Sequence, residues 1–527
     1  GADGDVLLKG SGDITIAATK SINTAGADIT LWSNSDGETT NGGDITLANS
    51  TTVDSRTAAD RAANDGTDND TGGGTITLGG GSTSTTLASG TVVPTGYALK
   101  ATNAQVGGIQ FGSSANAGIE LSSGGGDIVL RGKSTIGAES NGIFLYPGIT
   151  FDAGASGDIT INGQAENGDY NAGFYPSFQL GSGNTIIRSA NGDISLTGES
   201  MGGSNIADRG IILMAGNGNT ITIEATGTGS ITLAGNSGTG ANSFNDFYTQ
   251  GAIDILAANG NISIEGRGNG RTEITNTVSI GRKPSTNVTS SSSNIAITDN
   301  TLFWAGSGAL NLNTSGTVTM QPYGNDFSTA LSTSQTILSS DVSGLTIGKA
   351  SSSDGNSDAD VTLGSSTSIS GPITVYGGII TLDANLTTTN NGDISLYTDN
   401  ALGGLSTARK LTASGAFKYI PGGTAFTTDV SYPITNLTAT STGLTIGKSG
   451  NDKDITINTE ISGDAGVELY GNELNINDNI NVTNTGNLIF EGTATIKAGK
   501  YIASGGNFTH DGDLVFKSDA ANGDSYL

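Results

Sequence analysis

The sequence has no cysteine, one histidine, three methionines, two tryptophans and eight prolines in 527 residues. Without cysteine there are no disulfide staples, no thiolate chemistry and no cysteine-ligated metal. The lone histidine, His510, cannot build an imidazole metal centre. Basic residues are also scarce: 22 lysines and arginines face 49 acidic residues, a net charge of −27. That field repels a nucleic-acid backbone and an anionic membrane surface, while it keeps a long particle soluble. No apolar run approaches the length of a transmembrane helix. Neither a nucleic-acid partner nor membrane insertion is expected. The opening residues, GADGDVLLKG, carry no signal-peptide pattern and already stand in repeat phase, so the chain reads as a piece of something longer.

What is abundant is glycine, with 83 residues, together with Ser, Thr, Asn and Asp. Ile, Val and Leu recur in every segment, so a core can be buried, in contrast to a disordered chain. Glycine every few residues penalises helix interiors. The chain reads as all-β. One word returns throughout: GDITI at 12–16 and 157–161, GDITL at 43–47, GDIVL at 126–130, and GDISL at 192–196 and 392–396. Its apolar–polar–apolar alternation puts the first and third residues of Ile-Thr-Leu on one strand face. The preceding Gly-Asp supplies a turn in which the carboxylate bonds its own backbone. Strands this short make no independent sheet. Stacked coil on coil they bury a continuous column, as in a solenoid. A string of sandwich domains is disfavoured, because core Trp, Cys and domain-sized linkers are missing.

The expected fold is therefore one continuous parallel β-helix with loop insertions. Residues 1–300 form an irregular part, with insertions at 49–74, 165–184 and 236–251. Residues 301–527 form a part with a duplicated cassette of roughly 95–100 residues. GLTIGK at 344–349 returns at 443–448, a shift of 99 that also relates Pro322 to Pro421 and Phe327 to Phe426. Beyond a shortened loop the shift becomes 94, relating Tyr376 to Tyr470 and Gly392 to Gly486. Duplication suits an array with nearest-neighbour contacts and ill suits a catalytic cleft of unique residues.

The GDI-T/S-I/L words, SINTAGADITL and the stretch from SGLTIGK through DVTLGSSTSISGPITVYGG to NNGDISL resemble the large secreted β-helical exoproteins of Gram-negative bacteria, the filamentous-haemagglutinin-like adhesins and giant surface proteins with β-strand repeats. The likeness covers nearly the whole chain and is one of repeat style. It implies a right-handed parallel β-helix (β-solenoid), export across the outer membrane, an extracellular or cell-surface location, and adhesive or matrix roles. Partners would be glycans or proteins of host or neighbouring cells, or copies of the chain itself.

Few residues point to chemistry. His510 beside Asp511 lacks a third partner and reads as a turn residue before GDLVF. Acid–base cleavage of a polysaccharide needs two spaced carboxylates, but Asp5, Asp13, Asp28, Asp44, Asp127, Asp158 and Asp193 each begin a strand word. No catalytic residue is assigned and no enzyme is expected. No cofactor is expected either, calcium being the alternative. NDGTDND at 64–70 is rich in oxygen ligands but lacks EF-hand spacing, so it reads as a solvated acidic loop; bound calcium would sit at Asp65, Asp68 and Asp70. Aromatics cluster in two of the expected insertions: Phe174, Tyr175 and Phe178 in one, Phe244, Phe247 and Tyr248 in the other. They either stack on sugars or partner proteins, or fold back to seal an adjacent face of the helix. A flat threonine rank through Thr15, Thr30, Thr46, Thr77, Thr160, Thr222 and Thr232 would suit ice, but the spacing is irregular. The functional expectation is a structural and adhesive shaft. A self-assembling filament subunit comes next, and a polysaccharide-acting β-helix enzyme third.

Overall fold

The structure is a computed structural model that describes residues 4–63, 70–101, 107–113, 117–135, 141–166, 172–176, 183–200, 208–216, 218–238, 245–305, 308–354, 358–405, 408–463 and 466–517. The chain divides into two units, residues 1–314 and 315–527.

In the first unit each coil gives one strand to each of three parallel sheets. One coil runs through Ile128–Ser134, Asn141–Leu145 and Ile149–Asp152; the next runs through Ile159–Ala165, Ala172–Pro176 and Thr185–Ser189. The second sheet stacks nine such strands. In the first sheet Ile128 pairs with Ile159, Ile159 with Ile194, Ile194 with Ile231, and Ile231 with Ile262. All of them are buried. Each buried isoleucine contributes about 1.5–3 kcal/mol that an isolated short strand could not gain. The fold is a parallel β-helix.

The aspartate of the repeated word does something the sequence reading did not anticipate. Its carboxylate does not close its own turn; it reaches the neighbouring coil. The Asp158 N–H donates to Asp127 Oδ1 at 2.9 Å, Asp193 N–H to Asp158 Oδ1 at 2.8 Å, and Ser230 N–H to Asp193 Oδ1 at 2.8 Å. The same bond joins Asp28 to Asp5, Thr75 to Asp28 and Asp44 to Asp13. The N–H of Ile128 donates in turn to the Asp158 carbonyl at 2.8 Å. Each incoming aspartate is thus held by an acceptor and a donor of the coil before it.

The turn from the first sheet to the second is lined by glycine. Gly132, Gly163, Gly198, Gly235 and Gly266 stand in register. A Cβ on Gly163 would lie 1.9 Å from the Gly173 carbonyl oxygen, and one on Gly198 would lie 2.2 Å from that of Gly210. The two sheets meet backbone to backbone here, and no side chain fits.

Two expectations change. The segments 165–184 and 236–251 are not insertions: they contain second-sheet strands, Ala172–Pro176 and Asn245–Gln250. In 49–74 the strand Thr52–Asp54 is followed by a short helix, Ala58–Ala63. In keeping with their irregular spacing, the threonines form no single rank: Thr15 and Thr46 lie on the second sheet, Thr222 on the third, and Thr30, Thr77, Thr160 and Thr232 on the first. An unforeseen insertion is the antiparallel hairpin of Ile76–Thr86 and Val92–Gly96. Its Gly81 carbonyl accepts from Trp32 Nε1 at 2.8 Å, and its tip bonds Asp28 and Asp5 through Ser89 and Thr91. Thr30, Trp32 and Val93 are buried.

The second unit is also a stack of parallel strands, and its duplication is visible strand by strand. Thr317–Gln321 and Gly344–Ile347 recur as Ala416–Ile420 and Gly443–Ile446, 99 residues on. Val361–Leu363, Thr367–Ile369 and Leu386–Thr388 recur 94 residues on as Ile455–Ile457, Ile461–Gly463 and Ile480–Val482. The repeat is four coils long. The aspartate ladder persists, with Ala416 N–H on Asp393 at 2.7 Å and Asp454 N–H on Asp429 at 3.0 Å.

Replacing Gly163 by Val should lower stability by about 3 kcal/mol or more, because backbone blocks the added atoms. Asp158→Ala should cost much less, since water can reach the freed Asp193 N–H. Urea unfolding followed by circular dichroism measures both. Equal midpoints for the two variants would contradict this account of the glycine corner.

Candidate binding surfaces on the first unit

The aromatic residues singled out in the sequence separate by strand parity. Phe174 and Phe247 point inward, each 0 % exposed, on strands that flank Ile211 in the second sheet. They are core residues and offer no contact surface. Tyr175 and Tyr248 are half-buried on the outer face, against Ile212 and Met214. Phe178 and Phe244 lie outside the described residues.

The outer face extends beyond those residues. Phe144 pairs with Tyr175, Ile212 with Tyr248, Tyr248 with Glu273, and Glu273 with Phe303. The Phe144 ring stands edge-on to Tyr146 and Tyr175, with centroids 5.1 and 5.3 Å away. Arg209 lies over Tyr248 at 5.0 Å and Arg271 over Phe303 at 4.5 Å. Arg271 also pairs with Glu273 at 2.7 Å. Phe303 is 42 % exposed. The result is an aromatic stripe crossed by arginines, suited to flat, partly apolar groups. Phe144, Phe303, Arg209 and Arg271 were missed because they fall in separate sequence segments that only the coil register brings together.

A second surface lies at the root of the hairpin. A groove of about 460 Å³ runs between the loop carrying Thr39, the residues Ser82 and Thr83, and Tyr97. Lys133 and Glu166 line it as well and form an ion pair with each other. Burial pushes the Tyr97 phenol above its ordinary value, helped by the charge of Glu199, so its hydroxyl stays protonated at neutral pH. The glycine run GGGSTSTT at 79–86 was the available sequence signal, an alternating polar strand with no coil word to follow.

Of the three calcium candidates, Asp65 and Asp68 lie outside the described residues. Asp70 faces Arg56 at 3.5 Å, a positive charge where a cation would have to sit. Burial raises its carboxyl pKa and Arg56 opposes that shift. Among the described residues, no group of three or more His, Cys, Asp or Glu side chains converges as a metal site. His510 is a strand residue rather than a turn residue: Nε2 lies 3.1 Å from the Gly492 carbonyl and the ring stacks on Phe508.

Two carboxylates, Asp246 and Asp299, sit in the wall with 0 % exposure. Asp246 Oδ1 accepts from the N–H and Oγ of Ser237, both at 2.7 Å, while Oδ2 has no hydrogen-bond partner among the described residues. Asp299 Oδ2 accepts from Thr272 Oγ1 at 2.7 Å and fills the place a side chain would take at Gly266. Burial, reinforced by the charge of Asp246, raises the Asp299 pKa to about 7; burial also raises that of Asp246. Sealed from solvent, neither carboxylate reaches a substrate as the structure stands.

No protein-family model, no curated protein and no solved structure matches this chain.

The buried acid has a consequence for pH. A folded-state pKa above the ordinary 3.8 means that folding favours the protonated form. That contribution is complete in acid and is lost as pH rises from about 4 through 7. Thermal melts between pH 4 and pH 8 should therefore show Asp299→Asn gaining on the parent protein as pH rises. A difference constant across that range would contradict the assignment.

Proposed function

We propose that the chain is a structural shaft of a secreted bacterial surface protein, holding its outer faces away from the cell to bind glycans or proteins of host or neighbouring surfaces. The observation that carries this reading is the four-coil duplication. Copying four coils extends a scaffold and adds no unique constellation, which a display device tolerates and a catalytic cleft does not. The fate of the carboxylates supports the same reading, since the repeated aspartates hold coil to coil. The aromatic stripe and the hairpin groove are surfaces that a scaffold could present.

Removal of one cassette tests the proposal. Deleting residues 344–442 joins Ser343 to Gly443, the equivalent point one duplication later, and shortens the stack by about 19 Å at the usual strand spacing. The shortened chain should fold, and beads coated with it should adhere to cells as well as beads carrying the parent. Electron microscopy across a concentration series should show discrete particles. Long filaments that grow with concentration would replace this reading with self-assembly, and a folded variant that has lost adhesion would place the function in the deleted coils.

A further inference from the structure

We propose that the groove at the hairpin root is a binding site for an uncharged saccharide, with a hexose ring seated against Tyr97. This rests on the display reading and gives that display a ligand class. The groove's volume, about 460 Å³, falls in the usual range of small-molecule sites, roughly 300–1,000 Å³, and leaves room for a disaccharide. Its chemistry is that of a sugar face. One aromatic ring stands among the hydroxyls of Thr39, Ser82 and Thr83, which can donate or accept according to the orientation of a ligand hydroxyl.

The charges select against ions. Lys133 and Glu166 neutralise each other, and the pair presents ammonium donors and carboxylate acceptors side by side, an arrangement that suits neighbouring sugar hydroxyls. A phosphate or carboxylate ligand would have to displace Glu166, and a cation would have to displace Lys133.

The walls keep the space open. Gly37 has φ +74°, and a Cβ there would lie 2.9 Å from Ser82 Oγ. Gly81 has φ +83° at the point where the hairpin leaves the first sheet. Side chains at either position would strain the backbone. A larger trough in the second unit, about 600 Å³ beside Asp393, Lys418 and Glu468, has no aromatic residue among the described residues that line it, so they offer no platform for a ring.

The test uses the whole chain and defined probes: disaccharides of glucose, galactose, mannose and N-acetylhexosamines, read by saturation-transfer NMR and titration calorimetry. At least one should bind, and Tyr97→Ala should weaken it tenfold or more. Thr39→Trp, at an exposed loop position, should block the groove without touching the core and gives the same reading if Tyr97→Ala disturbs the hairpin. Binding that survives both changes but disappears in Tyr248→Ala would overturn the groove and leave display by the aromatic stripe intact. Failure of every disaccharide to bind would also overturn the groove, whereas adhesion of coated beads to cells decides the display reading separately.

Discussion

Everything in this protein depends on parallel strands lying residue over residue at one fixed spacing. The backbone ladder alone does not choose that register, because a parallel pair can slide by two residues and keep its hydrogen bonds and its faces. The choice is made at the strand entrance. There a carboxylate from one coil takes the N–H of the matching residue on the next, and that residue's carbonyl takes the following N–H of the first coil. A slip of two would break both bonds and move isoleucine off isoleucine. Polar entrance and apolar column therefore specify the same alignment, which is the agreement between levels that makes a fold unique.

The same constraint governs where other chemistry can appear. Aspartates at the entrances are occupied. Inward positions are mostly apolar or glycine, with buried serines such as Ser134 and Ser200 among them, and among the described residues the two fully buried acids, Asp246 and Asp299, are enclosed by serine, threonine and backbone donors. What remains free is the outside of the coils and the segments that leave them. The aromatic stripe arises because outward positions of successive second-sheet strands fall into one line. The groove arises because a hairpin leaves the stack and bends back toward it.

The first sheet was legible in the sequence because its strands carry the repeated word at nearly every turn, and Ile-Thr-Leu can be read in only one way. The duplication was legible for the same reason, down to the change of shift between Gly344 and Val361. The second sheet was legible only at its first two strands, Ile14–Ile16 and Ile45–Leu47, which carry the same word. Strands such as AGFYP and NDFYTQ have no Gly-Asp entrance, and their aromatic residues imitate an exposed loop. Pairing Phe174 with Ile211 requires knowing which residues lie one coil apart, and coil length here varies with every connecting segment. The role of Asp158 was hidden likewise: a turn aspartate and a ladder aspartate look identical until the next coil is in place.

The entrance bonds also give the array a direction. Each finished coil already holds, side by side, an acceptor and a donor for a single residue not yet placed, so the chain behind serves as the template for the chain ahead. A stack of this kind can be completed one turn at a time from its amino-terminal side, with the aspartate of the last ordered coil as the catch that admits the next and keeps it from sliding back.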